Sequence, residues 1–69
     1  MTRPYFTVCT FDRDANCWED QTGFYSKADA KDEADAFRAH YRAKDVRIIT
    51  TDGTLADLVR VRNALPLTR

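Results

Sequence analysis

The chain is expected to fold as a small α+β domain: a three-stranded antiparallel sheet of order 2-1-3 in a β-β-α-β-α chain, with one long helix packed on one sheet face. Three observations lead there. Residues 5–11 (Tyr-Phe-Thr-Val-Cys-Thr-Phe) and 46–51 (Val-Arg-Ile-Ile-Thr-Thr) are dominated by β-branched and aromatic residues, the side chains that suit a pleated, half-buried surface. Residues 27–44 are rich in Ala and hold neither Pro nor Gly, as a helix requires. Clusters of Asp, Asn and Gly separate these segments and supply turns. Sixty-nine residues leave room for one domain, residues 1–69, with 1–3 and 66–69 as loose termini.

The first strand, 5–11, is followed by Asp12-Arg13-Asp14-Ala15-Asn16 and a second strand at 17–25, giving a hairpin with a loop of about three to five residues. An odd loop places residues of equal parity on one face. Phe6, Val8 and Trp18 then face one way, and Tyr5, Cys9, Phe11 and Cys17 the other. Gly23 is expected to mark a bulge or bend. Ser26 caps the helix, with Asp29 three residues on. Ala30, Ala34, Phe37 and Tyr41 form its apolar stripe. Acids gather in its first half and bases in its second, matching the helix dipole.

In the third strand, Val46, Ile48 and Thr50 share one face, Arg47 and Ile49 the other. After Asp52-Gly53 two readings compete. A hairpin would make 54–61 a fourth strand, with Asp57 on the Leu55/Val59/Val61 face. A helix capped by Thr54, with Asp57 three residues on, Leu55, Leu58, Val59 and Leu65 at helical spacing and Pro66 as the stop, is preferred. A right-handed crossover through the first helix puts strand one in the middle. That helix is expected over Phe6, Val8, Trp18, Val46 and Ile48. The opposite face carries Tyr5, Cys9, Phe11 and Ile49. Burying four such side chains is worth roughly 6–12 kcal/mol, at ~1.5–3 each, so either the second helix or a second subunit must cover them.

Composition removes several functions. The formal net charge is zero, so the chain is no polybasic nucleic-acid tail or membrane peptide, and no apolar run is long enough to span a membrane. The expectation is a soluble, cytoplasmic protein with no membrane partner. Arg outnumbers Lys, and Asp outnumbers Glu, a bias that points to GC-rich coding DNA and to an orphan protein of actinobacterial or phage type. Cys9 and Cys17 form no C-x-x-C, and His40 is the lone histidine, so no metal, cofactor or disulfide is expected. Asp12-x-Asp14-x-Asn16 has the spacing that opens a calcium loop. The loop's central Gly is missing, however, and Gly23 stands where the twelfth-position Glu would be. No nucleophile-elbow, zinc-protease or phosphate-loop motif occurs, so no catalytic residue is assigned and the protein is expected not to be an enzyme.

Charge is segregated. Residues 12–35 carry acids at 12, 14, 19, 20, 29, 32, 33 and 35 against three bases, whereas 36–69 carry bases at 38, 42, 44, 47, 60, 62 and 69 against three acids. A bipolar surface beside an apolar sheet face fits protein binding, with Arg and aromatic side chains as anchors. It also fits acid-against-base pairing of two copies in a two-fold homodimer. The function expected is a non-catalytic protein-interaction module, self-associating, that binds and modulates a host or cellular protein through Tyr5, Phe11, Ile49, Arg38, Arg42 and Arg47. The alternative is nucleic-acid binding through Arg38, Arg42, Arg47, Arg60 and Arg62.

Overall fold

The computed structural model describes residues 3–67. Strands β1 (Tyr5–Asp12) and β2 (Cys17–Phe24) form the hairpin, helix α1 spans Lys27–Phe37, a 3-10 turn at Ala43–Asp45 leads into β3 (Val46–Thr51), and helix α2 spans Leu55–Asn63. The sheet order is β2-β1-β3, antiparallel throughout. This is the expected architecture. Both caps form as the sequence indicates: Ser26 Oγ accepts from the Asp29 amide at 3.3 Å and Thr54 Oγ1 from the Asp57 amide at 3.2 Å.

Two cores sandwich the sheet. On one face Val8, Ala30, Ala34 and Val46 are fully buried, with Phe6, Phe24, Phe37 and Ile48 packed around them. The two alanines let α1 settle close to the strands. On the other face Cys9, Phe11, Trp18 and Ile49 are buried beneath Leu58, Val61 and Leu65. The segment after Gly53 is therefore a helix, and that helix roofs the second face. Gly53 makes its entry possible, with φ at 89°, a conformation that L side chains rarely adopt.

Three local expectations are corrected. The hairpin loop is the even stretch 13–16, because Asp12 pairs with Cys17 and Phe11 with Trp18. Near the turn, residues of opposite parity therefore share a face. Trp18 joins the α2 core and stacks edge-on against Phe11, ring centroids 5.4 Å apart, while Cys17 is exposed and lies opposite Asp12. The turn is built by Asp12 Oδ1, which accepts from the amides of Asp14 (2.9 Å) and Ala15 (3.1 Å), and by Asn16 at φ 56°.

The bulge sits at Gln21 rather than Gly23. Pairing steps from Val8–Thr22 to Cys9–Asp20, leaving Gln21 as the extra residue. Its side chain turns back to donate to Thr10 Oγ1 at 2.8 Å. Gly23 serves the ring of Tyr5 instead: a Cβ at that position would collide with it.

Helix α1 stops at Phe37, well short of residue 44. No Gly or Pro marks the stop, so tertiary contacts impose it. The amide of His40 turns to the Phe37 carbonyl at 2.9 Å. The next residues then descend to the sheet, where the buried Asp45 carboxylate receives Arg13 at 2.9 and 3.1 Å. At the ends of the chain, Arg3 lies over the Tyr25 ring at 4.6 Å, and the Pro66 carbonyl accepts from Trp18 Nε1 at 2.9 Å. The rest of the expected loose ends, residues 1–2 and 68–69, lies outside the described residues.

Candidate functional site

Backbone direction along β3 decides what its outer edge offers. In an antiparallel ladder, facing residues alternate between pairs that exchange both hydrogen bonds and pairs that exchange none. The Val46 amide donates to the Ala43 carbonyl. The Val46 carbonyl accepts from Arg38 Nη2 at 3.4 Å. Both main-chain groups of Val46 thus point away from its partner Thr10. By alternation, Ile48 (opposite Val8) and Thr50 (opposite Phe6) also aim their N–H and C=O groups outward. Among the described residues no turn, cap or side chain bonds these groups.

Of the arginines singled out in the sequence, Arg38 and Arg47 lie at this edge. Arg47 lies on β3 and is exposed. Arg38 bridges Asp35 (2.9 Å) and the Val46 carbonyl, closing the amino end of the edge. Arg42 is exposed just before the 3-10 turn. The apolar candidates are covered or half-covered by the chain itself. Phe11 is 2% and Ile49 4% exposed, so α2 has taken the place that a partner was expected to fill. Tyr5 is half-buried, edge-on to Tyr25 with centroids 5.0 Å apart. The main-chain groups of Ile48 and Thr50 escaped the sequence reading, which weighed side chains. The signal was present in Val46–Thr51: six residues with one charge, no Pro and no bulge.

A cleft of about 400 Å³ opens between the hairpin end and the residues after α1, rimmed by Asp12, Glu19, His40, Tyr41 and Arg42. The carboxyl of Glu19 is raised above its ordinary 4.5 because it hydrogen-bonds and faces the Asp12 carboxyl. Asp12 is held below 3.8, first by the Ala15 amide, then by the Asp14 amide and by a hydrogen bond from the Glu19 carboxyl. Burial among apolar side chains, with the Asp20 charge adding to it, pushes the Cys9 thiol up to about 11, and Cys9 lies under α2 on the other sheet face. Cys9 is therefore a core residue in chemistry as well as in position.

The five arginines of the nucleic-acid reading do not form one free basic patch. Arg38 pairs with Asp35, Arg60 with Asp57 and Arg62 with Asp20. Phosphate affinity rests on cations available to replace counterions, and these three are engaged by carboxylates. Among the described residues no cluster of three or more His, Cys, Asp or Glu side chains is placed to hold a metal ion, and no helix is long and apolar enough to cross a membrane. Compared with protein-family models, curated proteins and solved structures, the chain matches none.

Proposed function

We propose that this chain is a non-catalytic protein-interaction module that takes a partner polypeptide along the outer edge of β3, by strand addition, with Arg38, Arg42 and Arg47 as polar anchors beside it. One observation carries the reading: the outward main-chain groups of Ile48 and Thr50, on a β-branched strand bearing a single charge. An exposed edge is a template for another strand. Main-chain hydrogen bonds supply the affinity and alternate side chains the choice of partner. The forks of Arg42 and Arg47 suit carboxylates on that partner, while Arg38, held by Asp35 and the Val46 carbonyl, fixes the end of the edge.

Thr50→Pro tests it. Proline lacks the amide proton, and edge strands accept it where that amide faces outward, so the β1–β3 ladder is left intact. A random-peptide display library is panned on the wild-type chain. The expected result is enriched peptides with alternating apolar residues and acidic ends, whose binding is lost on the Thr50→Pro chain. Peptides that bind both chains equally would overturn the assignment of the edge. Random double-stranded DNA and single-stranded RNA, titrated at about 50 mM salt, are expected to show no binding, since Arg38, Arg60 and Arg62 are held by carboxylates and the net charge is zero.

A further inference from the structure

Resting on that reading, we infer that the strand received by the β3 edge is β3 of a second copy of this chain, joined two-fold and antiparallel, with Ile48 of each copy opposite Thr50 of the other.

The free groups of the edge select this register. Val46 has spent its amide on Ala43 and its carbonyl on Arg38, so pairing begins at Ile48. A register with Ile48 against Ile48 would set Val46, already engaged, against Thr50. Moving the two-fold axis to Ile49 pairs Ile48 with Thr50 on both sides of it, and every outward group of the two residues finds a partner. Each exchanged pair joins an amide and a carbonyl that folding has left without a protein partner.

Side chains agree with that register. At the axis stands Ile49, covered by its own α2 in each copy, so no charge is set against its like there. Arg47 falls opposite Thr51, next to the exposed Asp52, and far from the other Arg47. Like charges are thus kept apart. Leu55, 75% exposed at the start of α2, adds apolar surface just beyond Thr51.

The other edge explains why assembly stops at two. Strand β2 carries exposed Glu19 and Asp20 and the Gln21 bulge, features that block edge pairing. One open and one guarded edge give a closed pair, whereas two open edges would continue into a filament.

Light scattering and sedimentation across a concentration series test the inference. The wild-type chain is expected to pass from the mass of one chain to that of two as concentration rises. Thr50→Pro should remain a single chain with unchanged far-ultraviolet circular dichroism. Arg47→Asp, an exposed position whose change leaves the core intact, should weaken the pair several-fold by setting acid beside Asp52. A wild-type chain that stays single at every concentration, or a pair that survives both substitutions, overturns the inference. Amide exchange at Ile48 and Thr50 separates the two readings. Fast exchange in a chain that never pairs refutes the second copy and leaves strand docking standing. Slow exchange in a solitary chain means that its own residues cover the edge, and both readings fall.

Discussion

Of the two outer strands, β2 carries Glu19, Asp20 and the unpaired Gln21 along its length, whereas β3 offers Val46–Thr51 with one arginine and an unbroken pleat. The difference extends into the packing. β2 is fastened to α2 from above: Arg62 grips Asp20, and Trp18 reaches the Pro66 carbonyl. β3 is the strand from which α2 departs, and the helix covers the sheet face from Ile49 on β3 to Trp18 on β2 without bonding the outward main-chain groups of Ile48 and Thr50. In a sheet of three strands, each edge is close to the core and each must be either guarded or used. Here the acids and the bulge protect one side.

The comparison can be broken first on the guarded side. Trp18→Ala removes the ring against Phe11 and the tie to Pro66, and is expected to cost about 3–5 kcal/mol, much of a small domain's stability. Chemical denaturation reads the loss, and a cost below about 1 kcal/mol would mean that α2 does not depend on β2. Gly23→Ala drives a methyl group into the Tyr5 ring; an expected cost of about 1–3 kcal/mol, read by the same assay, would show how firmly that ring is held over the strand.

Acid sharpens the contrast most gently, because the two sides respond with opposite sign. Asp57, beside the turn that leaves β3, is held below its ordinary 3.8 by the Asp52 amide and by Arg60. A depressed carboxyl favours the folded chain above that value, and the contribution is lost as pH falls through the lower folded value. Glu19, on β2, is raised above 4.5 by its neighbour Asp12. Its contribution is present below 4.5 and lost as pH rises through the raised value. Stability should therefore rise shallowly from neutral pH toward 4.5 and fall below 3.8. Denaturation midpoints across that range should lose the shallow rise in Glu19→Gln and lose part of the acid limb in Asp57→Asn. Unchanged profiles in both variants would show that neither carboxyl differs between folded and unfolded chains.

Much of the architecture was legible in residue order. The runs at 5–11 and 46–51, the caps at Ser26 and Thr54, and the Asp52-Gly53 turn are local signals, and local chemistry decides them. The side chains proposed for binding were less legible. Phe11 and Ile49 were read as a docking face, and they are the floor beneath α2. Apolarity marks a surface that must be covered, but it does not say whether the chain or a partner supplies the cover. Three local details also escaped: the even hairpin loop, the bulge one turn of the pleat away, and the early end of α1. The loop and bulge together reverse which face Trp18 takes and then restore the alternation at Phe24, a pair of one-residue steps that composition does not encode.

Sequence alone determined the three strands, the first helix and the placing of β1 at the centre, and favoured a helix after Gly53 over a fourth strand, because strand propensity, helix capping and crossover handedness act over a few residues or follow from chirality. Tertiary structure decided which core receives Trp18, where α1 stops, and which sheet edge is left open. Those outcomes depend on main-chain hydrogen-bond direction and on which surface α2 reaches, quantities that exist only once distant segments meet.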